Sequence, residues 1–423
     1  MTFIFALSSN FHPFPTIDPA TRTIREAVWM IWLAAILSGF FLFQSSISYA
    51  GQNLPCRINI TSKDAVLVAD PDGRILYEKN QAKKLVPAST IKILTALAAL
   101  NHFGPSFRFR TEFYRDPFQN LKVKGYGDPL LTSEVLQGLA DYLSTSVRFQ
   151  DIILDNTYFF SHINIPGCGN STNPYDAPVG ALCANFNTVI FRRDGKGRII
   201  SLERQTPMIP FARDRIRSLG LERGRHTFLD NSRDAARYAG ELLLHFLRKR
   251  GVKSRGIIRF GPVGHDDTLI YTYESIFTLE TVVQKMLKSS SNFMANQILI
   301  ALGASVYGSP GTLAKGVRAV TYYAKNKLKL QNIKIVEGSG ISRQNRISAL
   351  EMLIILKQFK PYRYLLKRND NILYKTGSLK GIRTKVGYIG GYPRGPYYFV
   401  IFFNRRNSDM NAAINCVKKA IAH

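Results

Sequence analysis

The feature that most constrains the fold of this chain is Pro87-Ala-Ser-Thr-Ile-Lys-Ile-Leu-Thr-Ala-Leu-Ala-Ala-Leu100. It opens on a capping residue, continues with strong helix formers and stops near Gly104-Pro105. A helix this apolar on every side has no face to offer water, so it is expected to run through a core. Other layers must therefore surround it, and 423 residues are enough to supply them. Ser89 and Lys92 lie at the start of this helix, three residues apart, which stacks their side chains on one face. A lysine so placed can accept the serine proton once burial or a neighbouring cation lowers its pKa.

Two further polar motifs stand far along the chain. Ser290-Ser291-Asn292 puts a hydroxyl and an amide two residues apart, suited to relaying a proton and holding a substrate amide. By itself it reads more readily as a polar break in a helix than as a functional pair. Lys375-Thr376-Gly377-Ser378 places a cation and a hydroxyl on what reads as an edge strand, where Gly377 lets a ligand backbone approach. Each motif alone is weak; their ordered conjunction is not.

The remaining text frames these motifs. Asp64–Asp70, Asp72-Gly73 and Ile75–Tyr77 read as a β-hairpin. Residues 111–230 read as short strands and turns. Ala235–Arg250 and Leu279–Leu302 read as amphipathic helices, the second stopped by Gly303. Gly387–Tyr392 and Tyr397–Phe403 read as paired central strands, followed by a helix from about Ser408. The fold class expected is α/β (α+β), split by an inserted strand-rich domain. The expected domains are a leader over 1–50, a first part over 51–112, the insertion over 113–232 and a second part over 233–423.

Ala27–Phe43 is an apolar run preceded by Arg22 and Arg25 and followed by Ser48-Tyr49-Ala50, the order of a signal peptide and its cleavage site. Retention as an anchor is the alternative. Lys and Arg number 57 against 29 Asp and Glu, a net charge of +28, and loss of residues 1–50 leaves it unchanged. An anionic partner follows, and export favours cell wall or membrane surface over nucleic acid. Of the four cysteines, Cys56, Cys168, Cys183 and Cys416, none forms a CxxC pair, so no thiolate metal site is expected; Cys168 and Cys183 could close a short loop. Neither a G-x-S-x-G elbow nor a phosphate-binding G-x-x-x-x-G-K-[ST] loop occurs.

S-x-x-K, S-x-N and K-T-G in this order are the signatures of serine enzymes that recognise β-lactams. The chain resembles the low-molecular-mass class C penicillin-binding proteins, D-alanyl-D-alanine carboxypeptidases and endopeptidases of the β-lactamase/DD-peptidase (transpeptidase-like) fold. The likeness extends to Gly125-Tyr-Gly-Asp-Pro129, to Ala177–Asn187 and to Glu337-Gly-Ser-Gly-Ile-Ser-Arg-Gln-Asn-Arg-Ile-Ser348. It implies a periplasmic enzyme in which Lys92 activates Ser89, and backbone N–H groups of Ser89 and Ser378 form the oxyanion hole. Ser290 and Asn292 would pass the proton to the leaving amine. Lys375 and Thr376 would bind a carboxylate of stem peptide or penicillin, with Lys375 near enough to depress the Lys92 pKa, and Arg343 would meet a stem-peptide carboxylate. Peptidoglycan stem peptides and β-lactam antibiotics are the implied partners, with no cofactor, no metal and no nucleic acid. A non-catalytic wall-binding relative and a β-lactamase on the same fold are the alternatives. The chain departs from the family at Ser291, where an acidic residue is usual, at Lys380, where an amide is frequent, and over Gly167–Asp176, usually Trp-rich.

Overall fold

The structure is a computed structural model that describes residues 58–390 and 395–422. The expected leader, the cysteine at 56 and residues 391–392 of the expected strand lie outside the described residues.

In chain order the elements are β1 (Asp64–Ala69), β2 (Ile75–Lys79), α1 (Lys92–Phe103), β3 (Arg108–Arg115), β4 (Leu121–Gly125), α2 (Ser133–Ser146) and β5 (Ile152–Asp155). Next come β6 (Val189–Arg193), β7 (Ile199–Ser201), α3 (Pro210–Ser218), β8 (Gly224–His226), α4 (Ser232–Lys249), β9 (Ile258–Phe260) and β10 (Thr268–Thr278). The last are α5 (Leu279–Ser289), α6 (Asn292–Tyr307), α7 (Leu313–Asn326), α8 (Ala349–Phe359), β11 (Lys367–Asn369), β12 (Ile372–Leu379), β13 (Ile382–Ile389), β14 (Tyr397–Phe403) and α9 (Met410–Ala422).

The main sheet has the order β11-β12-β13-β14-β1-β2, every neighbour antiparallel. The expected hairpin is β1–β2, and the expected central pair is β13–β14, with Val386 opposite Val400. β14 is apolar throughout because both faces are covered: Val400 and Phe402 join the helical core, while Phe399, Ile401 and Phe403 pack under α9. β11 pairs only with Ile372–Tyr374, so among the described residues no strand covers the other side of Lys375–Leu379. The expected edge is thus the second half of a strand whose first half is paired.

α1 lies where its composition requires. Every residue from Lys92 to Leu100 is buried, and α5, α6, α7 and α8 pack around it. Gly104 ends it. The helix expected over Leu279–Leu302 is two helices. Ser290 turns into the left-handed region at φ 60°, Ser291 caps α6 through its hydroxyl, and α6 continues past Gly303, which packs backbone to backbone on Gly316 of α7. The break leaves Ser290 as the cap that ends α5 and makes Asn292 the first residue of α6.

A second sheet, β10-β3-β4-β5-β9, and a third, β7-β6-β8, occupy the middle of the chain. α2 and α3 also fall within 111–230, where only strands and turns were expected. The expected boundary at 112/113 falls inside β3, and the second sheet takes β9 and β10 from beyond residue 232. Cys168 and Cys183 are free thiols, so the loop between them is not closed. The Cys183 sulfur is buried among Gly180 and Asn187, whereas that of Cys168 faces the Tyr175 carbonyl. Cys416 is disulfide-bonded. No helix among the described residues is long and apolar enough to cross a membrane.

Candidate active site

Ser89 sits in a 3-10 turn, Ala88–Ile91, that leads into α1. Ala88 is held in the left-handed region at φ 47°, a conformation that costs an L-residue about 1–2 kcal/mol. Packing on both sides maintains it. A Cβ on Gly340 would lie 2.0 Å from the Ala88 carbonyl oxygen, and one on Gly377 would lie 2.7 Å from the Ser89 nitrogen. Only glycine lets the two strands of chain close on the Ala88–Ser89 peptide. Upstream, the Asn404 amide accepts from the Val86 N–H and donates to the Val86 carbonyl, and Thr384 donates to the Pro87 carbonyl. The nucleophile candidate is therefore fixed to β13 and β14, and Ser89 itself remains half-buried.

Lys92 is fully buried. Its Nζ lies 2.9 Å from Ser89 Oγ, 2.8 Å from Asn292 Oδ1 and 2.5 Å from the Ser339 carbonyl. Burial, then repulsion from Lys375, pushes its pKa well below the usual lysine value, while Glu337 opposes the shift. The geometry suits the neutral amine. Its two N–H bonds satisfy the Asn292 and Ser339 oxygens, and the one lone pair is left for the Ser89 hydroxyl.

Lys375 is the second buried lysine. Its Nζ donates to Ser290 Oγ at 2.8 Å and to the Thr376 carbonyl at 2.8 Å, and burial lowers its pKa to about 7. The structure thus joins the expected residues in two groups, Ser89–Lys92–Asn292 and Ser290–Lys375. No hydrogen bond links Ser290 to Ser89 or Lys92. Thr376 is half-buried and Ser378 exposed along the unpaired part of β12. Arg343 is exposed and donates to the Lys380 carbonyl at the end of that strand.

One buried carboxylate received no role from the sequence. Glu337 accepts from Ser339 N–H and hydroxyl at 2.6 Å each, from Gly340 N–H at 2.7 Å and from Asn345 Nδ2 at 2.6 Å. Longer bonds come from Ser342 N–H and Asn296 Nδ2. Glu337 so shapes the loop that offers the Ser339 carbonyl to Lys92 and lays Gly340 on Ala88. Gln297, one turn and a residue beyond Asn292, was also missed. Its amide donates to the Gly127 and Gly180 carbonyls and accepts from the Gly180 N–H, tying α6 to both segments. The Glu-Gly-Ser-Gly spacing, an acid followed by residues free to turn their N–H groups inward, is the signal that could have marked Glu337.

The D-Ala-D-Ala carboxypeptidase 3 (S13) family matches residues 60–220 and 218–370. The chain belongs to this family. A D-alanyl-D-alanine carboxypeptidase DacB of Haemophilus influenzae is 24% identical, over 88% of this chain and 93% of its own. A D-alanyl-D-alanine carboxypeptidase of Actinomadura sp. is 26% identical, over 69% of this chain and 63% of its own. The crystal structure of penicillin binding protein 4 (dacB) from Haemophilus influenzae superposes with a TM-score of 0.66 at 20% identity, covering 85% of this chain and 96% of that one. That likeness establishes the fold: the split transpeptidase-like architecture expected from the motifs. Membership in the S13 family makes this chain a peptidase.

Proposed function

We propose that the chain is a serine DD-peptidase that cleaves D-Ala-D-Ala or D-amino-acid cross-links of peptidoglycan through an acyl-enzyme on Ser89. The observation that carries this reading is the fully buried Lys92 amine between Ser89 Oγ and two carbonyl oxygens. In the first step the Ser89 proton passes to Lys92 Nζ while Oγ adds to the scissile carbonyl. The developing oxyanion is met by the Ser89 and Ser378 N–H groups, which Gly377 brings together at the unpaired part of β12. As the amine leaves, Ser290 Oγ gives it a proton and takes one from Lys375, and exchange with solvent then removes the proton held on Lys92 and restores the one lost from Lys375, so that both lysines are reset for the second step. Asn292, besides holding Lys92, faces the substrate amide. Thr376 and Lys375 hold the terminal carboxylate. Water then repeats the sequence on the ester and restores Ser89.

The same reading assigns penicillin as an acylating agent and an extracytoplasmic place of action, with residues 1–50 as the export signal. The +28 charge supports electrostatic association with the wall or a membrane surface. We divide the chain into a transpeptidase-like domain of the six-stranded sheet with α1 and α5–α9, interrupted by an insertion. The second sheet's membership supports extending that insertion from 113–232 to the whole of β3–β10.

Incubation of the purified protein with fluorescent penicillin tests the proposal. One label per chain, located on Ser89 and abolished in Ser89→Ala, is expected. Labelling that survives Ser89→Ala, or that never occurs in the wild type, refutes it.

A further inference from the structure

The second sheet carries a cavity that acyl transfer does not use. It has a volume of about 550 Å³ and lies where the β3–β4 turn meets the start of β5 and the segment leading into β9. Arg115, at the turn end of β3, stands opposite Thr268. Arg108, at the other end, stands opposite Thr278, where β10 runs into α5 and so to Ser290. The eight residues of β3, at about 3.3 Å each, set those two ends roughly 25 Å apart. The cavity shares no residue with the Ser89 site.

Two buried carboxylates fix its walls. Asp116 accepts from the Phe118 N–H at 3.0 Å, the Asn120 N–H at 2.7 Å and Asn120 Nδ2 at 2.8 Å, which sets the turn. Asn120 Oδ1 in turn accepts from the Asp151 N–H at 3.2 Å. On that fixed turn Phe118 stands 77% exposed. Asp151 is fully buried, and its Oδ2 accepts from Nη2 of Arg255 and Nη2 of Arg259, each at 2.9 Å. Neither guanidinium can swing away without baring a buried charge. Both converge on one oxygen, yet more than half of each side chain is open to water. Each spends one of its five N–H donors there and makes no other side-chain hydrogen bond among the described residues. Gln119 and Gln150 are exposed at the rim, and their amides likewise have no hydrogen bond among the described residues. One carboxylate thus serves two cations, and the chain from 242 to 265 holds six lysines and arginines and no acid.

We propose that this cavity binds an acidic sugar, a saccharide unit that carries a carboxylate or a phosphate. Two converging guanidiniums with unused donors suit one oxyanion, which accepts forked hydrogen bonds from them. Gln119 and Gln150 each present a donor and an acceptor, the pairing that ring hydroxyls require. The held Phe118 ring offers a flat apolar face for one side of a pyranose. The lining does not suit a lipid: beside Phe118 its one apolar member is Pro117, which leaves no wall for an acyl chain. The volume is that of a small-molecule site. A polysaccharide seated there would hold the second sheet to the envelope while Ser89 works at the other end of the strands. This role goes beyond the DD-peptidase reading and uses none of its residues.

Titration calorimetry of the full-length protein tests this with two acidic sugars, N-acetylmuramic acid and glucose 6-phosphate. N-acetylglucosamine serves as the neutral sugar, and lactate and inorganic phosphate as the anions without a sugar. An acidic sugar is expected to bind about tenfold or more tightly than the neutral sugar and than its own free anion, and the one that does so identifies the oxyanion. Phe118→Ala should weaken that binding up to about tenfold. Arg259→Lys leaves Asp151 a cation but removes the fork, so it should bring the acidic sugar down toward the neutral one. Fluorescent penicillin should label Ser89 equally in both variants, which shows that they fold, and acylated protein should bind the sugar as before. Acidic sugars that bind no better than the neutral sugar or the free anions overturn the site. So does binding that both variants leave intact, or binding that acylation of Ser89 abolishes. A wild-type protein that binds the acidic sugar but is never labelled at Ser89 refutes the peptidase reading and leaves this one standing.

Discussion

Lys375→Met offers a quantitative test of the burial of Lys375. Lys375 is 1% exposed, and burial takes its pKa from about 10.5 to about 7. The folded protein therefore binds fewer protons at this site than the unfolded chain does between those values. For a lysine with a lowered folded pKa, stability is present in full above the unfolded pKa. It is lost as pH falls toward the folded pKa, and the loss levels off below it. At about 1.4 kcal/mol per unit, this one group lowers stability by about 3 to 4 kcal/mol between pH 10 and pH 7. Methionine has similar length and no charge, so the variant lacks that loss. It does leave Ser290 Oγ without its 2.8 Å partner, a cost of about 1–3 kcal/mol at any pH. The variant is therefore expected to be the less stable protein at pH 10 and the more stable one at pH 7. Urea titrations of both proteins at the two pH values measure this, with equal m-values as the check that both unfold the same surface. A Lys375→Met protein whose stability falls between pH 10 and pH 7 as steeply as the wild type's would refute the buried-charge argument.

Other substitutions separate the remaining roles. Lys92→Arg keeps the charge but cannot give it up, so penicillin acylation should fall by about 10²–10⁴-fold in stopped-flow labelling; a near-normal rate would assign the proton to another group. Glu337→Gln replaces one accepting oxygen with a donor facing N–H groups, so hydrogen exchange over residues 338–345 should accelerate and acylation should drop with it; unchanged exchange removes Glu337 as the organiser of that loop. Gln297→Leu deletes three hydrogen bonds, about 3 kcal/mol in all, and should lower the Tm while Ser89 can still be labelled. Binding to isolated sacculi should weaken steeply up to 1 M salt, where the Debye length is about 3 Å, while Ser89 labelling changes little; salt-independent binding would reject the electrostatic contribution.

The parts legible in the sequence are those set by local pattern. The apolar composition of Pro87–Leu100 demanded burial, and α1 is buried. Alternation in Asp64–Tyr77 and apolar density in Tyr397–Phe403 named three strands of the main sheet. The S-x-x-K spacing set Lys92 beside Ser89 because one helical turn does so regardless of context. The break at Ser290 was hidden because α5 and α6 bury their apolar faces in one core, so the periodic pattern runs across the junction. α2 was missed although Val135, Leu136, Leu139, Ala140 and Leu143 recur at helical spacing, because the turn residues around it dominated the reading. The Lys375–Ser290 bond could not be read at all. It joins residues 85 apart and depends on how β12 meets the α5–α6 junction. Glu337 sits among its own close neighbours, but its burial depends on α1 and α6 closing over the loop.

The unpaired second half of β12 has a further consequence for how the molecule behaves among its own copies. A bare row of strand N–H and C=O groups is a template on which another chain can zip, and proteins ordinarily cover or blunt it. Here it must stay open if a substrate is to lie on it. The row ends in Lys380, with Arg383 across the turn and Arg343 alongside. Two copies meeting edge to edge would bring these cations together and repel, whereas an acidic peptide would be drawn in. These charges therefore act as gatekeepers against self-association, and neutralising them would leave the protein prone to pair through the open half of β12.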